Sequence, residues 1–474
     1  MNGASVRQLA PIEKYFYHRS DLGLHTCFYL GVELSKIPSK DKFIQALKKT
    51  IAELPLFHCN IDKGSGNSDL HAKNVQGVIN FADVVEFRND IQFLSTKEIN
   101  DIFQNYDFNY GKESFLWKIL VIPSQNQLLL LLDHALYDGN SGVKFWEVFM
   151  TSLREAKCNV EEQEDECIFK GDKSTDFVLE PHPYDKWPGT WSWAVKKVLA
   201  KMLFSASPKM ITKIDSKFMQ FKDYPFVDKL LEKPPKNGRK YQVNNDNLQW
   251  QFRLTPESLK KMLESCKKNR VSLTSYLVAL FIMSLREINE NKLCGGPSVN
   301  VSIPMNTRMK CKERLNLRDE EVQVGNFVTG LDFKTKMEKQ EETTILNVAS
   351  KVQEFITNET LNNIGDKINA MNLLNVVNQR RFLEETLNSI NEGPGSVFEV
   401  TNLGFKDFDR NCDTQLNFYI KDSFFNVPKG IYSVFTCAII STPLGGLNCT
   451  VSFPKELADT LDKPFSYVKN KLNL

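Results

Sequence analysis

The sequence has no uninterrupted run of about 18 apolar residues, which argues against a membrane-crossing helix. Residues Met1 to Pro11 lack the apolar core of a secretory signal, so a soluble, cytoplasmic protein is expected. Cysteine is present but unorganised. The 10 cysteines include no CxxC pair and no metal-ligand spacing, which points to reduced, buried thiols rather than a disulfide frame or a metal site. Charge of one sign is also missing: 60 Lys and Arg stand against 58 Asp and Glu, so no global field draws in nucleic acid or an acidic substrate. There is no zinc-finger, RRM-like or basic-arm pattern, and no nucleic-acid partner is expected. No short repeat of the solenoid kind occurs either.

At 474 residues the chain is long for one core, and two domains of roughly 200 residues are the prior. A strand is expected over 24–34. A helix follows over Lys42 to Glu53, with Phe43, Ala46, Leu47 and Ile51 on one face. Pro55 ends it, and Leu56 to Asn60 reads as a strand, with another helix over Lys97 to Gln104. Leu116 to Pro123 and Leu128 to Leu132 read as strand–turn–strand, the second buried on both faces. A helix from Ser141 to Leu153 follows, with Ser141 as its N-cap. The second half should open with the strand Leu248 to Leu254 and helices over 256–268 and 273–288. Further strands are expected at 298–303, 324–333, 397–403, 416–420, 432–440 and 446–453, and a helix near 342–357. Interleaved strands and helices in both halves predict two α/β sandwiches. The divisions expected are 1–165, a connector at 166–245, and 246–474. The connector begins near an acidic stretch that includes Glu161, Glu162, Glu164, Asp165, Glu166, Asp172 and Asp176, and it contains the break Pro234 to Gly238.

One cluster carries chemistry. Five leucines and Asp133 precede His134-Ala135-Leu136-Tyr137-Asp138-Gly139, which sets a histidine at the end of a buried strand. Imidazole, with an ordinary pKa of about 6.5, is the usual general base near neutral pH. Gly139 permits a tight path from strand to helix. The other histidines (His18, His25, His58, His71, His182) show no metal-type spacing, and no metal is expected. His18 and His25 lie in the aromatic stretch Tyr15 to Tyr29, which either packs a core or lines an acceptor pocket.

The segment from Leu132 to Ser141, with Phe145-Trp146 behind it, resembles the HxxxDG motif of the CoA-dependent acyltransferases. That superfamily includes chloramphenicol acetyltransferase, the plant BAHD enzymes and peptide-synthetase condensation domains. Within it the likeness is greatest to the fungal alcohol acetyltransferases. Trp117 to Pro123 resembles that family's tryptophan-basic-apolar-proline strand, and Ile303-Pro304-Met305-Asn306-Thr307-Arg308 its proline-to-arginine strand end. Gly325-Asn326-Phe327-Val328 resembles its glycine-asparagine motif, and Val400-Thr401-Asn402-Leu403-Gly404 its serine-asparagine-x-glycine motif, with Thr401 where serine is usual. The plant DFGWG box is absent. The chain is shorter than typical ester-forming yeast enzymes and nearer in length to a related yeast N-acetyltransferase of a sphingosine-like antibiotic.

The resemblance implies two chloramphenicol acetyltransferase-like sandwiches with a tunnel at their interface and acetyl-CoA as co-substrate. It implies direct attack by an acceptor whose proton goes to His134. It makes Asp138 structural, paired with an arginine whose counterpart here is Arg308, although a surface arginine is the plainer reading of that residue. Arg308, Asn306, Thr401, Asn402 and Trp117 become candidates for substrate or CoA contact, with loop capping the alternative for Thr401 and Asn402. The acceptor is expected to be a small apolar alcohol, or the amine of a sphingoid-like amino-alcohol, in a pocket without acids or arginines to hold charge. Two rival readings are a non-catalytic protein that keeps the fold and a thioester hydrolase.

Residues 187–214 contain Trp187, Trp191, Trp193, Lys196, Lys197, Lys201, Lys209 and Lys213 and one acid-free stretch up to Ile214. As a helix it places Trp191, Val195, Val198, Leu199, Met202 and Leu203 on one side. That pattern fits an interfacial helix on the endoplasmic reticulum or a lipid droplet, or an interdomain helix packed on the protein. A monomer is expected.

Overall fold

The computed structural model describes residues 6–64, 69–156, 166–171, 179–208, 218–224, 231–232, 239–337, 344–390, 394–408 and 418–473. Most of the acidic connector stretch, the break at 234–238 and residues 209–214 lie outside the described residues. The strands of the two principal sheets are β1 Phe28–Leu34, β2 Val85–Phe87, β3 Trp117–Ile122, β4 Gln127–Leu132, β5 Asn247–Leu254, β6 Ser298–Asn306, β7 Val328–Lys336, β8 Ser396–Phe405, β9 Ile420–Asn426, β10 Ser433–Thr442 and β11 Gly446–Pro454. The helices that matter for function are α1 Pro11–Asp21, α2 Lys40–Glu53, α3 Gly139–Glu155, α4 Trp191–Ala206, α5 Leu273–Ser284 and α6 Arg308–Leu315.

One sheet has the order β9-β1-β4-β3-β2, and the other β5-β11-β10-β8-β6-β7. Leu128 to Leu132 of β4 are fully buried, as their lack of polar alternation predicts, between β1 and β3 in antiparallel register. Helix α3 covers this sheet with Val143, Phe145, Trp146, Phe149, Met150 and Leu153, and Trp146 Nε1 donates to the Leu30 carbonyl at 3.0 Å. Helix α2 packs beside it, with Phe43 against Phe149. In the second sheet β10 is buried along its whole length, flanked by β8 in parallel and β11 in antiparallel register. Two hydrophobic cores result, one for each sheet.

Several local expectations change. Leu56 to His58 belong to a 3-10 turn over Pro55–His58, because Pro55 sets the turn's first dihedral, and the strand begins only at Cys59. The helix after Gly139 starts earlier, with Asp138 as its N-cap, so Ser141 is its third residue. The strand expected from 324 begins at Val328, because Gly325 adopts φ +142 and turns the chain. The strand expected over 416–420 is β9, which begins at Ile420; residues 416 and 417 lie outside the described residues. It does not join the second sheet. It pairs with β1, from Ile420 opposite Leu34 to Asn426 opposite Tyr29, so the stretch 246–474 supplies an edge of the first sheet. No described helix is long and apolar enough to cross a membrane.

Candidate active site

His134 lies two residues beyond β4, on a turn that Asp133 holds. The buried Asp133 carboxylate accepts from Ala135 N at 2.7 Å and from the Tyr110 hydroxyl at 2.8 Å. Burial pushes that carboxyl up to about 6, against the pull of those two donors. The His134 imidazole stacks on Phe16 of α1, with ring centroids 3.9 Å apart and planes within 8°. Phe28 closes another side at 5.1 Å, and His25 stands edge-on at 6.0 Å. The Asn326 amide donates to the His134 carbonyl at 2.6 Å and lies 3.4 Å from Nδ1. Nδ1 faces the backbone, where the His134 and Tyr137 carbonyls can accept its proton, and in that tautomer the Nε2 lone pair is free on the far side of the ring. Burial, then the charge of Arg19, lowers the imidazole pKa to about 3, although the His134 and Tyr137 backbones favour the protonated form. The ring is therefore neutral at physiological pH.

Asp138 points away from that ring and into a closed cage. Arg308 grips it with two parallel bonds, Nη1 to Oδ2 at 2.5 Å and Nη2 to Oδ1 at 2.7 Å. Phe327 N donates to Oδ2 at 3.0 Å and Ser141 N to Oδ1 at 3.0 Å. Burial would raise this carboxyl, but the charge and hydrogen bonds of Arg308 outweigh it and hold the pKa below the ordinary value. Arg308 is the first residue of α6 and is buried, so the surface-arginine reading fails. Its remaining donors reach the carbonyls of Val322 and Gly325, each at 2.8 Å, and Ser141 Oγ at 3.2 Å. Asn306 accepts from Arg308 N at 3.0 Å and so braces the arginine. This cage ties the His134 turn of the first sheet to the β6–α6 junction of the second, and Gly139 sits in the same seam. A Cβ at Gly139 would come 2.5 Å from Leu403 Cδ2.

The other candidates separate clearly. Asn402 Nδ2 donates to Thr274 Oγ1 of α5 at 3.0 Å, and its Oδ1 accepts from Gly404 N at 2.8 Å, so both of its polar atoms fasten the end of β8. Thr401 is partly exposed on β8, two residues beyond Glu399 and on the same face. Trp117 is not brought to the site. It is 2% exposed in the first core beside Phe57 and Phe145, and its Nε1 donates to the Phe57 carbonyl at 2.9 Å, because an indole at that strand position points between β3 and α3.

Two charged side chains lie near the His134 turn that the sequence gives no reason to place there, Arg19 and Glu399. The Arg19 guanidinium lies 4.5 Å from the Phe16 centroid, the same ring that supports His134, and its buried Nε has no hydrogen-bond partner among the described residues. Glu399 retains partial exposure although burial dominates its titration. Its carboxyl is pushed up to about 7, with the charge of Arg19 pulling it down and that of Asp332 adding to the rise. The Tyr15 hydroxyl donates to that of Tyr432 at 3.5 Å across the same junction. Phe16 and Arg19 lie three apart on one helix face, a spacing visible in the sequence, but nothing local indicates that this face meets His134. Among the described residues no cluster of three or more His, Cys, Asp or Glu could hold a metal ion.

A histidine on a strand-end turn, with an Asp–Arg clasp behind it joining two α/β halves, stands in a fold of the condensation-domain and chloramphenicol acetyltransferase-like kind. The trichothecene 15-O-acetyltransferase TRI3 of Fusarium sporotrichioides superposes with a TM-score of 0.65 at 10% identity, covering 98% of this chain and 95% of that one. The first condensation domain of the CDA synthetase superposes at 0.60 and 10% identity, over 99% and 97%. The chain belongs to the alcohol acetyltransferase family, whose model matches residues 8–464. It is 39% identical to the N-acetyltransferase SLI1 of Saccharomyces cerevisiae over 98% of this chain and 99% of that protein.

Proposed function

We propose that the protein moves an acetyl group from acetyl-CoA to an apolar acceptor bearing one hydroxyl or amine, with His134 as general base and no covalent enzyme intermediate. The observation that carries this reading is the orientation of His134: the Asn326 amide holds its carbonyl, the His134 and Tyr137 backbones can accept the Nδ1 proton, and Nε2 is then left free on a ring that stays neutral. The acceptor's O–H or N–H bond breaks as its heteroatom bonds to the thioester carbonyl, and Nε2 takes the proton. The tetrahedral intermediate then collapses, the CoA thiolate leaves, and the same nitrogen returns the proton to sulfur. Burial and the Arg19 charge make imidazolium costly, which favours fast return of that proton. The absence of a GxSxG elbow fits direct transfer.

A second reading, N-acetylation of an amino-alcohol, is favoured by Glu399. A carboxyl that shares the charge of Arg19 with His134 and titrates near neutrality can receive an ammonium group and take up its extra proton, leaving the free amine that attack requires. The likeness to an N-acetyltransferase supports the same reading. The deciding experiment incubates the purified protein with acetyl-CoA and a panel of fatty alcohols, sphingoid bases and simple amines, then identifies acetylated products by mass spectrometry. Acetyl on oxygen or nitrogen distinguishes the two readings. CoA release without any acceptor would mean hydrolysis, and no release with any acceptor would leave a non-catalytic fold.

A further inference from the structure

Helix α4 turns its apolar side outward. Trp191 is 83% exposed, Val198 57% and Met202 64%, and Val195, Leu199 and Leu203 are exposed with them. These six recur at helical spacing and form one stripe about three turns long. The helix is nevertheless anchored. Trp193 is buried and its Nε1 donates to Asp366 Oδ1 at 2.7 Å, while buried Phe204 meets the ring of Phe382. A packed interdomain helix would bury the stripe and expose the rest, so α4 presents the wrong side for that role.

The occupant follows from charge. Lys196, Lys197 and Lys201 flank the stripe, Lys196 lying 4.0 Å over the Trp193 ring, and no acid occurs from Trp187 to Pro208. A second copy of this helix would bring more lysines and no compensating negative charge, whereas an anionic lipid surface supplies it in a plane beside an apolar layer. We propose that α4 is a seat for an anionic lipid bilayer, with Trp191 and the aliphatic stripe among the acyl chains and the three lysines at headgroup phosphates. The seat is close to the chemistry. Helix α4 packs on the turn Leu373–Val376, that turn packs on α1, and α1 carries Phe16 beneath His134. The turn and α1 also line a cavity of about 270 Å³, through Leu374 from the turn and Lys14 and His18 from α1. The proposal needs nothing from the acetyl-transfer reading, because binding is measured whether or not any acceptor reacts.

The test floats the purified full chain with vesicles of phosphatidylcholine alone and of phosphatidylcholine with phosphatidylserine. The parent should float with the anionic vesicles, bind the neutral ones at least about tenfold more weakly, and detach with added salt. Trp191→Ser with Leu199→Ser should lose binding to both. Lys196→Glu, Lys197→Glu and Lys201→Glu together should lose only the anionic preference, again by about tenfold or more. All five side chains lie outside the cores, and unchanged thermal unfolding would confirm that the variants fold. A parent that floats with neither vesicle, or variants that float as it does, overturns the proposal. So does a parent dimer in sedimentation that Trp191→Ser dissociates, since a second copy would then cover the stripe.

Discussion

Two buried charged assemblies lie on either side of the His134 turn, and they are built oppositely. The Asp138–Arg308 clasp is closed: both carboxylate oxygens and the guanidinium nitrogens are engaged by Phe327, Ser141, Val322, Gly325 and Asn306. The Arg19–Glu399 side is open, with a guanidinium nitrogen lacking a hydrogen-bond partner among the described residues and a carboxyl that titrates near neutrality. A closed cage fixes geometry and has no capacity left for a ligand. An open one costs stability and is retained where something else is to be bound. The contrast suits the first to a structural role and leaves the second free for the acceptor proposed above.

The largest effect that would sharpen this contrast comes from the residue between them. His134→Ala should lower kcat about 100-fold or more with little change in acetyl-CoA affinity or melting temperature. Turnover near that of the parent would remove the imidazole from the mechanism. Breaking the clasp should do the reverse. Arg308→Ala leaves Asp138 buried and unpaired, which should cost about 3–5 kcal/mol in chemical denaturation and reduce activity only through the displaced turn. Adding Asp138→Asn should then cost less than the sum of the two single changes, and simple additivity would mean the pair is not coupled.

A smaller and more selective effect is expected on the open side. Glu399→Gln should lower kcat/KM for a sphingoid base several-fold and leave a fatty alcohol nearly unchanged. The stability sign is also defined. The folded carboxyl is raised to about 7 from its ordinary value, so its contribution is present below the unfolded value and lost as pH rises through about 7. Glu399→Gln should therefore melt higher than the parent above pH 7 and match it near pH 4. Equal losses with both acceptors would place Glu399 with the scaffold. The smallest change should be Asn402→Ala, whose side chain fastens β8 to α5. A loss of about 1 kcal/mol in stability is expected, with kcat within a few-fold of the parent, and a collapse in kcat would return Asn402 to the reacting groups.

Much of this site is legible in the sequence because its parts are local. The leucine run of β4, His134 beside it and Gly139 opening α3 follow from burial and turn chemistry within about a dozen residues. Arg308 was accessible only through the family's order of motifs, since nothing near residue 308 indicates a partner 170 positions away. Trp117 misled because a motif residue can sit in a motif for packing. The α4 stripe was read correctly as a face, but which way the face points depends on Trp193 and Phe204, two of its own residues, finding Asp366 and Phe382. The surroundings of Glu399 and the sheet that β9 joins escape the sequence for one reason: a strand's residue types do not say which strands or helices it meets.

That last strand sets an order of events in time. The first sheet needs β9, and β9 begins at Ile420, so a nascent chain holds β1 to β4 long before their edge partner leaves the ribosome. Until then the backbone groups of Phe28–Leu34 form an open edge capable of pairing with another chain. Folding of the amino-terminal half cannot be completed domain by domain during synthesis, and a fragment ending before residue 420 should be recovered as aggregate or bound to chaperones.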